Sequence, residues 1–440
     1  MDAIRRTVAM ATIVSLTLVG ALGAALAADK PSAAQALHAW YKLVLELVRH
    51  TPTYSPPVAS RSFAYLGVSV YEAIASGSDE LQSLAGQLNG LTPVAPREAD
   101  KAYDEAVVVN ATMTFAAQNF FTHTGPTGQR ALAAMAKKME MDVSGDLPAD
   151  VVSRSEDYGR AVAEHILKWS ETDGGAVVEN MGFPLEYKLT EGPAHWVPTS
   201  LIQQQQFPLL PHWGEVRTFA MPNGASCPVP PPPEYSEDPD SVFFKQALEV
   251  YEAVNHGTPE QKAIARFWSD DPMLSPTPPG HWISIALQAL DHEDADLDRN
   301  VEALALLGVA LADGFVGCWD AKYRYDLVRP ITYIRRLIDK KWEALLITPP
   351  FPEYPSGHST QSGAAAVVLT QLFGENFAFE DHTPEADGLM PRKFPSFHAA
   401  AEEAGISRLY GGIHYRAAIV EGLRQGQCIG AHVNALKTRK

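Results

Sequence analysis

Apolar residues along this chain recur at helical spacing. Between Glu156 and Glu171, Tyr158, Val162, His165/Ile166 and Trp169 fall at i, i+4, i+7/i+8 and i+11, one face of a helix. On that face His165 reads as a packed core histidine. The same period predicts helices over 32–50, 97–121, 126–141, 239–254, 296–320, 358–374 and 414–434. Sustained two-residue alternation bounded by hairpin turns is not found, so the fold class is all-α. An irregular stretch from about 174 to 239 contains Gln203 to Gln206 and the run Pro228-Val229-Pro230-Pro231-Pro232-Pro233. Proline fixes extended backbone there, so the stretch reads as a rigid spacer. It divides the chain into an N-terminal helical half with its Pro-rich connector, 28–238, and a C-terminal helical bundle, 239–440.

Residues 1–27 have the form of a signal peptide. Arg5 and Arg6 precede the apolar run Thr7 to Leu22, and Ala25-Leu26-Ala27 supplies a small-x-small cleavage pattern. The competing reading is a membrane anchor, since the apolar run nearly reaches spanning length. With cleavage, no stable anchor is expected and the protein is exported, periplasmic or secreted. The ten-residue run Ala303 to Ala312 is too short to span and suits a buried core helix.

Of 440 residues, 46% are hydrophobic and 20% charged, as in ordinary globular domains. A net charge of −17 disfavours nucleic acid and anionic membranes as partners, but leaves room for a small anion in a locally basic pocket. Cys227, Cys318 and Cys428 allow one bridge and one free thiol, with the pairing left open. The acidic run Asp291, Glu293, Asp294, Asp296, Asp298 lacks the turn glycine and terminal glutamate of a calcium loop, and reads as helix-starting carboxylates.

The candidate chemistry lies in the last 120 residues. Lys322 and Arg329 stand two helical turns apart, and Pro330 places Arg329 at a helix end. Pro355-Ser356-Gly357-His358 opens a helix, where backbone N–H groups make an anion site; Ser356 adds a hydroxyl and His358 a proton-exchanging group. Arg408 adds a third cation, and His414 precedes the last helix as a ligand or nucleophile. Singly, each segment could be structural. Together they describe a pocket for a multiply charged tetrahedral oxyanion, phosphate or vanadate.

These three segments resemble the signatures shared by vanadium-dependent haloperoxidases and type 2 phosphatidic acid phosphatases. The family patterns are Lys-x6-Arg-Pro, Pro-Ser-Gly-His and Ser-Arg-x5-His-x3-Asp, found here at Lys322–Pro330, Pro355–His358 and Ser407–His414. Ser55 to Arg61 and Pro279-Gly280-His281-Trp282 resemble stretches of bacterial haloperoxidase relatives, and Trp319 and Phe351 the aromatic pocket wall of the peroxidase branch. The resemblance implies two four-helix bundles with the active site in the C-terminal one. It implies a vanadate cofactor bound through His414, with Lys322, Arg329, Ser356, Gly357 and Arg408 holding its oxygens. His358 would act as acid and base, and Lys322 would polarise bound peroxide. Hydrogen peroxide, halide and a small organic substrate would be the reactants. The alternatives are an acid phosphatase using the same pocket, with a phosphoester substrate and a phosphohistidine intermediate at His414, and a non-catalytic oxyanion-binding protein.

One position departs from the pattern. The aspartate expected four residues after the histidine falls at Ala418, leaving the second ring nitrogen of His414 without its usual partner. Glu421 through a water, or a backbone carbonyl, are the substitutes the sequence offers. Tyr323, Tyr325, Tyr410 and His281 are further candidates for the pocket lining or for core packing, and Asp313 for orienting a cation.

Overall fold

A computed structural model of the chain describes residues 30–178, 186–200 and 206–440. The signal-peptide reading and most of the Gln203–Gln206 run lie outside the described residues. Fourteen α-helices and one two-stranded hairpin occur among them. In chain order the helices are α1 Ala33–Arg49, α2 Pro56–Ala75, α3 Glu105–Phe120, α4 Gly125–Ser144, α5 Ala149–Ser170, the short α6 Gly175–Val178, α7 Val242–His256, α8 Pro259–Phe267, α9 Thr277–His292, α10 Leu297–Tyr325, α11 Pro330–Leu337, α12 Gly357–Phe373, α13 Phe397–Tyr410 and α14 Arg416–Asn434. The hairpin pairs β1 Phe379–Asp381 with β2 Arg392–Phe394 in antiparallel register. It is too short to leave a run of alternation in the sequence.

Caps set many of the helix starts. Ser32 and Gln35 form a reciprocal capping box on α1, and Asp296 accepts from the Arg299 amide at the start of α10, as expected of the acidic run. Helix α2 has no helical period in the sequence because it is buried all round, from Pro57 to Ala75, and so carries no amphipathic stripe. It crosses α10 at close range: a Cβ on Gly67 would lie 2.9 Å from the Leu304 carbonyl, and one on Gly308 3.0 Å from that of Phe63. The main hydrophobic core draws on helices from α1 to α14, and a second, smaller cluster gathers α7 and α11 with Leu409, Ala418 and Ile419. Helix α10 is long and apolar enough to cross a membrane, but its whole apolar window is buried inside the protein.

Two local expectations change. Tyr158, Val162, Ile166 and Trp169 are buried on α5 as the period requires, whereas His165 is half-buried at the edge and its Nε2 lies 2.9 Å from the Thr92 carbonyl. The Pro-rich stretch is a strap on the C-terminal helices, not a spacer. Its carbonyls at Val229, Pro230 and Ser236 accept from the hydroxyls of Tyr325, Tyr354 and Tyr333. With no N–H to offer, proline leaves its carbonyl as the bonding group. Asp313 anchors the same strap by accepting from the amides of Phe219, Ala220 and Met221, so it orients backbone and no cation.

The strap is also tied covalently, since Cys227 is bridged to Cys428 on α14 while Cys318 is free and buried. The bridged residues are 201 positions apart. Closing a loop of that size removes about 5 kcal/mol of unfolded-state entropy in the chain-entropy account. Reduction is therefore expected to lower the melting temperature by several degrees, measured by calorimetry with and without dithiothreitol. An unchanged transition would show that the bridge adds nothing to stability.

Candidate active site

The site forms where α12 and α14 converge. Reciprocal glycines let them approach: a Cβ on Gly363 would stand 2.6 Å from the Leu423 carbonyl, and one on Gly426 would overlap the Thr360 carbonyl. Ser356 caps α12, its hydroxyl oxygen accepting from the Ser359 amide. Gly357 is thus the first residue of the helix, where N–H groups lack intrahelical acceptors. His414 sits in the turn before α14, one residue ahead of its N-cap, Tyr415. Arg408 projects from the last turn of α13, and Arg329, in extended backbone, precedes Pro330 at the start of α11 as the sequence requires.

A cavity of about 700 Å³ opens onto these groups. Gly357, His358, Arg408 and His414 line it together with the aromatic wall of Trp319 and Phe351, whose rings lie 4.9 Å apart. Pro52, Ser55 and His123 of the N-terminal half complete the rim. Of the other lining candidates, the Tyr323 and Tyr325 hydroxyls donate to the Leu209 and Val229 carbonyls, and His281 is held between two carboxylates. Lys322, Arg329 and Ser356 stand behind the lining, fully buried.

The buried cations differ in what they can still donate. Lys322 Nζ bonds to the carbonyls of Pro352, Glu353 and Pro355, which uses all three of its protons. The expectation that it donates to an oxyanion meets this obstacle; in this arrangement it acts on the site through its charge, which is partial at neutral pH because burial lowers the amine to about 7. Arg329 donates from Nε to the Phe351 carbonyl and from Nη1 to that of Ile413, while its Nη2 is buried without a partner. Arg408 donates from Nη1 to the Trp268 carbonyl, and its Nε is likewise unpartnered. Burial lowers both guanidinium groups to about 10, so they stay charged at neutral pH.

The partner of His414 is a residue that the sequence did not single out. Glu353 Oε1 accepts from His414 Nδ1 at 2.9 Å and from the Tyr415 amide at 2.8 Å. It lies three residues before Ser356, so the carboxylate missing from position 418 arrives from another segment. Glu421 instead pairs with Arg424 and faces the Pro-rich strap. With Nδ1 donating, Nε2 holds the lone pair; Arg329 Nη1 approaches it at 3.3 Å. Burial first, then Arg329, Lys322 and Arg408, push His414 well below the ordinary histidine range, so the ring is neutral. Burial and the opposing charge of Arg408 lower His358 to about 4 against the pull of Asp270, which accepts from its Nε2 at 3.1 Å.

Unpartnered buried guanidinium N–H groups, a helix N-terminus and a neutral histidine whose Nε2 lone pair faces Arg329 make a donor set suited to vanadate or phosphate. Residues 302–439 match the family model of the VCPO second helical-bundle domain. A solved structure described as the first bacterial vanadium-dependent iodoperoxidase superposes with a TM-score of 0.85 and 39% identity, covering 92% of this chain and 97% of its own.

The chain belongs to the vanadium-dependent haloperoxidase family. A bacterial vanadium-dependent chloroperoxidase shares the fold at 14% identity and a TM-score of 0.70, over 87% of this chain and 92% of its own. Among curated haloperoxidases, the vanadium-dependent bromoperoxidase of Ascophyllum nodosum is 34% identical over 94 residues, 19% of this chain. The vanadium chloroperoxidase of Curvularia inaequalis is 27% identical over 180 residues, 34% of this chain. The matches span 17% and 30% of those two haloperoxidases' own lengths.

Proposed function

We propose that this protein is an exported, vanadate-dependent haloperoxidase that oxidises halide with hydrogen peroxide. The observation that carries the reading is His414: a neutral ring with Nδ1 fixed by Glu353 and Nε2 directed among Arg329 and Arg408, whose spare donors are buried. His414 Nε2 would hold the vanadium, with Arg329, Arg408 and the Gly357 amide on the oxygens. Vanadate supplies a Lewis acid of constant oxidation state, so no haem or flavin is required. His358 has Nε2 tied to Asp270 and offers Nδ1 to take a proton from entering peroxide and return it to departing water. The buried cations would neutralise charge at the floor of the cavity, where each acts through a low dielectric.

The cavity far exceeds what peroxide and a halide ion need, since a water molecule occupies about 30 Å³ of liquid. Its remaining walls are largely proline, leucine and aromatic, and Leu274 and Ile347 stand exposed at the mouth. This supports a small apolar organic molecule as halogen acceptor. Iodide is the first halide to test, because the 39%-identical structure is that of an iodoperoxidase. The Cys227–Cys428 bridge supports export to an oxidising compartment, periplasmic or extracellular.

The deciding measurement is iodide oxidation and monochlorodimedone bromination by purified protein in peroxide, with and without orthovanadate. Turnover that requires vanadate is expected. Absence of turnover with both halides, combined with vanadate-inhibited hydrolysis of a phosphoester, would put the acid phosphatase in its place.

A further inference from the structure

Behind His358 lies a buried chain of titratable groups that the halide reaction does not itself call for. Asp270 Oδ2 accepts from His358 Nε2, and Asp270 Oδ1 lies 2.8 Å from His281 Nδ1. On the far side of that ring, Nε2 lies 2.8 Å from Asp381 Oδ2. Both carboxylates and His281 are shielded from solvent, while His358 is half-buried and faces the cavity. Asp381 closes β1, and its Oδ1 accepts from the Thr383 amide. The short hairpin thus delivers one carboxylate to the rear of the active site. His281 is clamped from the side as well, stacked on Trp268 at 4.5 Å. Asp270 takes a left-handed backbone conformation, φ 50°, which an aspartate tolerates better than most residues and which a built site has reason to keep.

With both carboxylates ionised, a histidine with a carboxylate oxygen against each ring nitrogen has one protonation state that satisfies both contacts. Both nitrogens must donate, so the ring is an imidazolium. That fixed cation keeps Asp270 ionised, and an ionised Asp270 can only accept. His358 must then carry its proton on Nε2, leaving Nδ1 as the exchanging nitrogen.

We propose that His281 and Asp381 are positioning residues of the active site, which lock Asp270 and through it fix the tautomer and proton affinity of His358. The mechanistic part rests on the haloperoxidase reading; the protonation states do not. The charges agree with the geometry. Burial opposes charge on His281, but Asp270 and Asp381 outweigh it and raise the ring to about 10, while both carboxylates are held below their ordinary range. The groups facing His358 are Asp270, His281, Arg408 and His414. Those facing His281 are the two carboxylates, with Arg266 and Asp387 across a second cavity of about 310 Å³. Removing the His281 charge takes a cation away from His358 and leaves Asp270 free to pair with it alone, so His358 should bind its proton more tightly.

The test uses full-length protein labelled with 15N-histidine, without vanadate, as wild type, His281→Gln and Asp381→Asn. The wild type should show one imidazolium with both nitrogens protonated from pH 6 to 9, absent from His281→Gln. The titration of His358, assigned from His358→Gln, should move up by about one pH unit in His281→Gln and by less in Asp381→Asn. In the vanadate-loaded enzymes the acid limb of kcat/KM for peroxide should move the same way, with KM for halide unchanged. A wild type lacking that imidazolium, or a His358 titration identical in all folded variants, overturns the proposal. If His281→Gln fails to fold, Asp381→Asn decides alone. Absence of halide turnover would reject the enzymatic reading without touching the titrations.

Discussion

His414→Ala is expected to abolish vanadate-dependent halide oxidation while leaving an anion-binding cradle in place. The ring is a neutral nitrogen ligand set among Lys322, Arg329 and Arg408, and its Nε2 lone pair is held ready because Glu353 accepts the Nδ1–H hydrogen bond. Burial and the three cations keep the ring unprotonated well below the ordinary histidine range, so protons do not compete for Nε2 at neutral pH. Alanine removes the ring nitrogen that would hold vanadium but not the unpartnered donors of Arg329 and Arg408. Turnover should therefore fall by more than the roughly 10²–10³-fold that deleting a single stabilising donor costs. Orthovanadate or phosphate should still raise the melting temperature of the variant, by less than in the wild type, because ligand stabilisation follows affinity. Steady-state iodide oxidation and thermal shift on the same preparation separate the two effects. Turnover within about tenfold of wild type would remove His414 as the anchor.

The parts of the site legible in the sequence are those whose spacing is set by one helix end. Lys322 and Arg329 flank the end of α10, Ser356 and Gly357 open α12, and Arg408 and His414 bracket the turn before α14, so each short pattern carries its own geometry. What joins the patterns was not legible. Glu353 reaches His414 across 61 positions, Asp270 reaches His358 across 88, and Asp381 reaches His281 across 100. A glutamate three residues before Ser356 has no periodic or spacing signature; its one signal was the vacancy at Ala418. For Lys322 the sequence supplies the cation but not the three carbonyls that its ammonium donates to. At the level of the fold, amphipathic helices such as α5 announced themselves. Helix α2, with every face in the core, had no polar side from which a period could be read.

Exchanging carboxylates between positions 353 and 418 should move vanadate affinity down and then partly back. Glu353→Gln keeps an acceptor for His414 Nδ1 but loses the carboxylate charge that raises the ring's basicity, a charge fully present only above neutral pH because burial raises Glu353 to about 7 against Arg329 and Lys322. Such outer partners typically affect metal affinity by roughly 10–100-fold, and a loss in that range is expected here. The location of the substitute follows from the helix start. Tyr415 is the N-cap of α14 and Ala418 its N3 residue, the position from which an acidic side chain reaches back to the N-cap amide. An aspartate at 418 would accept from the Tyr415 amide beside His414. With alanine there, Glu353 Oε1 takes that amide and the histidine together. Glu353 and Ala418 line the same small void, and the Ser356 amide donates to the Ala418 carbonyl, so the two side chains compete for one place. Ala418→Asp alone then sets a second carboxylate against a buried one and should lower the melting temperature without improving vanadate binding. Glu353→Ala with Ala418→Asp relieves that repulsion and restores a single carboxylate from the N3 side. Vanadate titration of the wild type, these variants and Glu353→Ala should rank the double variant above Glu353→Ala. A double variant no tighter than Glu353→Ala would show that the carboxylate works only from position 353, where it is also flanked by Arg329 and Lys322.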